Sequence, residues 1–231
     1  MNQRIQEHVP NRDLEQHFKK AKEDGLCISS VACCHELWTL VVDAGTGFSA
    51  QVYMLSSLDF LPSQWIASCW DEGFNITAVA GSFEGFSLVV MSRGTPYTHQ
   101  TYKVSKVFPV QWIRRKWAKS YYVTSVAHSN MRWAIVMSRN AGFVYQSIEL
   151  DFRHPSEGHL KWACGGLGLK VTAVAATPDR IAAVLSRSKQ NADFGFQRVW
   201  TPSTGFNIAR VRECWANNKY ITGIAYGRTL T

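Results

Sequence analysis

The sequence predicts a mainly β fold with short helices, in which five repeated units close into a β-propeller-like toroid. The first observation behind this is a short phrase that recurs five times: Ile28-Ser29-Ser30-Val31-Ala32, Ile76-Thr77-Ala78-Val79-Ala80, Val123-Thr124-Ser125-Val126-Ala127, Val171-Thr172-Ala173-Val174-Ala175 and Ile221-Thr222-Gly223-Ile224-Ala225. Its first residues are 48, 47, 48 and 50 positions apart, the spacing of arrays built from one supersecondary unit. The second is composition: 46% hydrophobic, 13% aromatic and only 18% charged residues supply a packed core and exclude a disordered chain. The third is that the two ends carry complementary fragments of the unit. Units 28–75, 76–122, 123–170 and 171–220 are then followed by a fifth made of 221–231 with 1–27, in one repeat domain spanning 1–231.

Taken in order, Gln3-Arg4-Ile5-Gln6-Glu7-His8 reads as the third strand of a unit and Asp13 to Gly25 as its closing helix. The recurring phrase is the first strand, and its small residues (Ser29, Ala78, Ser125, Ala173, Gly223) suit a crowded place near a toroid axis. A second apolar run follows, as in Trp38-Thr39-Leu40-Val41-Val42, Ser87-Leu88-Val89-Val90-Met91, Trp133-Ala134-Ile135-Val136-Met137 and Ile181-Ala182-Ala183-Val184-Leu185. Short β-branched runs bounded by polar residues and Gly read as buried strands. Each ends in a polar turn: Asp43-Ala44-Gly45, Ser92-Arg93-Gly94, Ser138-Arg139-Asn140 or Ser186-Arg187-Ser188. The third strand is keyed by an aromatic residue and a glutamine three places on: Phe48 with Gln51, Tyr97 with Gln100, Phe143 with Gln146 and Phe194 with Gln197.

The unit closes with Pro62-Ser63-Gln64-Trp65-Ile66 leading to Trp70, and with Pro109-Val110-Gln111-Trp112-Ile113 leading to Trp117; Trp162 and Trp215 hold the same place later. Pro at a first turn, then apolar residues on one face at a 3.6-residue period, favours a short helix here, with an outer fourth strand as the alternative. The repeat tryptophans are expected in the packing between units rather than in a ligand cage.

Six cysteines (Cys27, Cys33, Cys34, Cys69, Cys164, Cys214) show no Cys-x-x-Cys pair and no disulfide-scaffold density, so they read as reduced, structural thiols. The seven histidines form no pair at metal-ligand spacing. No metal and no cofactor is expected. The polar N-terminus and the absence of an apolar run near the ~18 residues of a membrane span point to an intracellular chain without membrane attachment. A net charge of +8 favours acidic partners: phosphorylated protein, acidic peptides or nucleic acid.

Two tempting motifs are set aside. Asp193-Phe194-Gly195 spells a kinase metal-binding tripeptide, but the Gly-rich loop, strand lysine and His-Arg-Asp loop it works with are missing, and Phe194 is the repeat's own aromatic. Gly45-Thr46-Gly47 and Gly165-Gly166-Leu167-Gly168 lack the strand, helix and lysine of a phosphate loop and read as turns. The best site candidates are Arg93, Arg139 and Arg187, which follow Ser at the end of the second strand, with Arg228 in the short last copy. In a closed toroid they form a crown at an axial opening, suited to bidentate capture of phosphate or carboxylate. The alternative role is to bond loop carbonyls of their own unit, together with the repeat Gln, and pin a turn. The first copy has Asp43-Ala44 in this place, so the crown is broken there. A second basic surface, Arg114, Arg115, Lys116 and Lys119, alternates with Trp112, Trp117, Tyr121 and Tyr122. It suits single-stranded nucleic acid or chromatin, or else is the solvated face of a closing helix.

Several longer strings carry a family signal: Val89-Val90-Met91-Ser92-Arg93-Gly94-Thr95, Val136-Met137-Ser138-Arg139-Asn140-Ala141-Gly142-Phe143, Glu149-Leu150-Asp151-Phe152 with Pro155-Ser156-Glu157-Gly158, and Tyr226-Gly227-Arg228-Thr229. With these the chain resembles the C-terminal, non-catalytic domain of plant casein-kinase-I-like Ser/Thr protein kinases, from about Gln3 to its last residue. That resemblance implies a nuclear kinase acting on chromatin and on light and flowering regulators, with its catalytic domain N-terminal to this region. None of the family's catalytic residues has a matching position here. The expectation is a non-enzymatic docking module for acidic or phosphorylated partners or kinase substrates.

Overall fold

The computed structural model describes residues 2–152, 167–177, 180–189, 197 and 207–226. The chain runs β1 (Gln3–Pro10), a 3-10 turn (Asn11–Asp13), α1 (Leu14–Glu23), β2 (Cys27–Cys34), β3 (Leu37–Asp43), β4 (Ala50–Ser56), α2 (Ser63–Asp71), β5 (Asn75–Gly81) and β6 (Ser87–Arg93). It continues with β7 (Gln100–Ser105), α3 (Val110–Trp117), β8 (Tyr122–Ser129), β9 (Arg132–Ser138), β10 (Phe143–Phe152), β11 (Lys170–Ala176), β12 (Arg180–Ser188) and α4 (Ile208–Ala216). The closing segments at Ser63–Asp71 and Val110–Trp117 are helices, not outer strands.

Among the described residues the strands form four antiparallel sheets of three, ordered β1-β3-β2, β4-β6-β5, β7-β9-β8 and β10-β12-β11. In each, the middle strand is the second apolar run, bonded on both edges and buried on both faces. Leu88, Val89, Val90 and Met91 of β6 are all fully buried. This explains why these runs are continuously apolar rather than alternating. The outer strand comes from the end of the preceding sequence repeat: Gln51 of β4 pairs with Ser92 of β6, and Gln100 of β7 with Ser138 of β9.

The Thr or Ser in second place of the first four phrases has a structural cause. The pairing of the first strand with the middle strand slips by one residue there, between Ile28 and Ser30, Ile76 and Ala78, Val123 and Ser125, and Val171 and Ala173. Each skipped residue is a β-bulge. Its hydroxyl turns back onto the middle strand: Thr77 and Thr124 meet the Ser92 and Ser138 hydroxyls at 2.7 and 2.8 Å.

Three apolar cores lie between consecutive sheets. The first joins Trp38, Leu40 and Leu14 to Leu88 and Val90. The second joins Ile66, Ile76 and Met91 to Ala134 and Val136, and the third joins Ile113, Ile135 and Met137 to Ala182 and Val184. Their first strands β2, β5, β8 and β11 neighbour one another in that order. β5 and β8 approach closely at Gly81, where an added Cβ would lie 2.3 Å from Ser129 Cβ and 2.7 Å from His128 O.

One glutamine per repeat ties each sheet to the one before it. Gln146 Oε1 accepts from Val123 N at 2.7 Å and from Trp117 Nε1 at 3.0 Å, while its Nε2 donates to Val123 O at 2.8 Å and Ser186 Oγ at 2.9 Å. Gln100 does the same with Ile76, Trp70 and Ser138, and Gln51 with Ile28 and Ser92. Gln197 clasps Val171 and Thr222, and Gln3 clasps Ile221, Asp43 and Trp215. A primary amide presents one acceptor and two donors, so it completes the N–H and C=O of an edge residue much as a further strand would.

The closed five-unit toroid of β-propeller type is corrected by this topology. Among the described residues the strands lie in four separate three-stranded sheets, none of which closes or curls on itself. Ile221–Thr231 was expected to supply two strands of a fifth unit, yet 221–226 forms no strand. Side chains hold it instead: the Gln3 amide at Ile221, Ser30 Oγ at Ile224 N, and Thr39 against the Tyr226 hydroxyl. Gly223, in the middle of this copy, weakens strand formation. Sequence repetition specifies the local sheet; it does not by itself specify closure.

Candidate functional site

Without the toroid, the axial crown has no frame, and each arginine is described against its own sheet. Arg93 ends β6, and its Nη2 donates to Glu72 O at 2.7 Å, just past the end of α2, with the guanidinium 4.4 Å from the Phe74 ring centroid. Arg139 follows β9 and repeats this arrangement: Nε donates to Lys119 O at 3.1 Å, just past α3, and the guanidinium lies 4.7 Å from the Tyr121 centroid. Arg187, in β12, sits over Tyr145 of the adjacent strand at 5.4 Å. Each arginine follows the serine that receives the glutamine clasp, so the sheet register sets its position. The repeat Gln is not its partner. Arg228 lies outside the described residues, as do Asp193-Phe194-Gly195, Trp162 and Cys164.

A helix leaves its last carbonyls without internal partners, and cations are favoured there. Arg93 and Arg139 each satisfy one backbone carbonyl at such an exit, which is the turn-pinning role. That leaves most of each forked guanidinium uncommitted. Near the N-terminus, Arg4–Asp24, Arg12–Asp13 and Lys20–Asp24 form ion pairs. None involves Arg93, Arg139 or Arg187.

The second basic surface lies on α3 and the turn after it. Arg114, Arg115 and Lys119 are exposed, while Trp112, Trp117 and Tyr121 pack against the third core. Lys116 is half-buried, with Nζ 5.0 Å from the Tyr121 centroid and 5.6 Å from that of Trp112. The two candidate groups therefore meet: Arg139 and Lys116 share Tyr121, and Arg139 holds the Lys119 carbonyl. Arg93 and Arg187 belong to the neighbouring sheets.

One feature was missed by reading motifs alone. Residues 23–92 contain eight Asp or Glu and no Lys or Arg, and residues 93–148 contain nine Lys or Arg and no Asp or Glu. The fold turns these blocks into adjacent sectors. The third sheet with α3 carries Lys103, Lys106, Arg114, Arg115, Lys116, Lys119 and Arg132, whereas Asp59, Asp71, Glu72 and Glu84 lie exposed around the second sheet. Counting signed charge along the chain would have shown it, because the net +8 averages the two blocks away.

Among the described residues no group of three His, Cys, Asp or Glu side chains is placed to hold a metal ion. The described cysteines are free thiols, and burial, reinforced by Glu36, pushes Cys33 up to about 12. No helix among the described residues is long and apolar enough to cross a membrane.

Comparison with known proteins places this sequence in a family. The DUF7477 family model, described as a domain of unknown function, matches residues 1–231. The chain is 48% identical over 230 residues to casein kinase 1-like protein HD16 of Oryza sativa subsp. japonica, a match covering 100% of this chain and 32% of that protein. It thus spans about a third of the length of that relative, in its C-terminal, non-catalytic part.

Proposed function

The chain belongs to the DUF7477 family, and from that premise we propose that it is a docking module that holds acidic or phosphorylated protein for a kinase part of the same polypeptide, in the nucleus. One observation carries this reading. Arg93 and Arg139 are fixed in equivalent places by a carbonyl bond and an aromatic face, with no carboxylate in ion-pair range among the described residues. A guanidinium held but not neutralised is prepared to take phosphate or carboxylate in a bidentate fork. Arg187 adds a third at the same strand position.

The nucleic-acid reading of the α3 surface has less support. Base stacking needs free aromatic faces, and Tyr121 and Trp112 are already engaged by Lys116 and Arg139 and packed on the core. The test is titration of the purified chain with an acidic phosphopeptide. The expected result is salt-sensitive binding that weakens by about tenfold or more in the Arg93→Ala/Arg139→Ala/Arg187→Ala variant. Equal binding by the triple variant would remove these arginines from the proposal.

A further inference from the structure

We propose that docking is concentrated at one place, the basic sector of the third sheet, and that its ligand is a short phosphoserine- or phosphothreonine-bearing segment of an acidic protein. This inference rests on the docking reading above and deepens it. The centre is the turn after α3, where Arg139 and Lys116 flank Tyr121, with Arg114, Arg115 and Lys119 exposed on the same helix end and turn.

Three observations carry it. First, the stretch 93–148 holds nine cations and no carboxylate, while the other 175 residues hold 16 Lys or Arg against 17 Asp or Glu. Residues 1–92 hold five Lys or Arg against eleven Asp or Glu and residues 149–231 eleven against six, so 93–148 is the densest positive block and the one free of carboxylates. Second, none of those nine cations is paired with a carboxylate among the described residues, whereas Arg4 and Lys20 share Asp24. A doubly charged phosphate group arriving here meets cations that need give up no partner. Third, the neighbouring second sheet presents Asp59, Asp71, Glu72 and Glu84, with Arg93 at its edge. A long polyanion laid across both sheets would run from attraction into repulsion. That boundary disfavours a polyanion that runs from the third sheet toward the second, while the fourth sheet on the other side presents Arg187 and Lys189; a segment confined to the third sheet meets no such boundary. The acidic sector thereby bounds the ligand on the side of the second sheet, and the helix-end cluster selects its charge.

The test uses the full chain and a short acidic peptide carrying one phosphoserine, with its unphosphorylated form and duplex DNA as comparators, read by fluorescence anisotropy. The expected result is binding of the phosphopeptide about tenfold tighter than of the unphosphorylated peptide, and loss of about tenfold in the Arg115→Glu/Lys119→Glu variant. Both positions are exposed, so the variant should keep its fold, and it should gain affinity for a lysine-substituted peptide. Arg187→Ala should change binding by less than about twofold. Binding that ignores the double reversal but falls with Arg93→Ala or Arg187→Ala would overturn the sector proposal and leave the docking reading standing. No binding to any acidic peptide would overturn both. DNA that displaces the phosphopeptide, with log affinity falling by several units per unit of log salt, would replace the peptide reading by a nucleic-acid one.

Discussion

Replacing Gln146 by Ala tests the idea that single glutamines join the sheets. In the folded chain its amide makes four hydrogen bonds, to Val123 N, Val123 O, Ser186 Oγ and Trp117 Nε1. Val123 is fully buried at the edge of β8 and Gln146 is 6% exposed, so truncation leaves a backbone N–H and C=O in a dry site. Ser186 keeps Thr172 as a partner, and the half-buried Trp117 indole turns toward water at small cost. Two orphaned backbone groups at about 1–3 kcal/mol each, partly relieved if water enters the gap, give an expected loss of about 2–5 kcal/mol. Urea denaturation should show a lower midpoint at unchanged slope, and the Val123 amide should exchange hydrogen faster in the native state. A loss below about 1 kcal/mol with slow exchange at Val123 would refute the clasp as a source of stability.

Gln146→Glu should be sensitive to pH. A carboxylate cannot donate to Val123 O, and burial raises its pKa above the usual ~4.3. The native state then binds the proton more tightly, so relative to wild type this variant is most stable near or below pH ~4.3 and weakens as pH rises through the folded pKa; parallel melting curves at acid and neutral pH decide it. Gly81→Ala, whose Cβ would fall 2.3 Å from Ser129 Cβ, should cost about 1–3 kcal/mol by overpacking β5 against β8, measured by the same denaturation assay. Cys33, raised from 9.0 to about 12 chiefly by burial, should resist alkylation at pH 9–10 where an ordinary thiol reacts; its contribution to stability is complete below pH ~9 and is lost as pH climbs toward 12. Rapid labelling at pH 9 in the folded chain would contradict that placement.

The strands were legible because each repeat keeps its phrase, its apolar run and its turn, and because a middle strand bonded on both edges must be apolar throughout. The helices were legible from Pro62 and Pro109 and the spacing of Trp65, Ile66 and Trp70. What a residue-by-residue reading missed lies between sheets. Gln51, Gln100, Gln146 and Gln197 were seen as markers of a third strand, but their partners stand 23, 24, 23 and 26 residues upstream in the preceding sheet. That near-constant offset was the available signal. Closure was not legible, because the fifth phrase has the right letters yet 221–226, with Gly223 at its middle, forms no strand. Of the candidate site, the positions of Arg93, Arg139 and Arg187 followed from the repeat, whereas the meeting of Arg139 with Lys116 at Tyr121 depends on how α3 folds back onto its own sheet.

The glutamine clasp also bears on how such a chain can change in length. Each repeat contributes the amide for the joint behind it and the edge residue for the joint ahead, so it carries one half of two identical fittings. Duplicating or excising a whole repeat therefore creates no mismatched joint, while an insertion that separates a glutamine from its aromatic and strand breaks one. Change in this architecture is quantised, by entire units, and the spacing of 48, 47, 48 and 50 stays close to one unit length throughout.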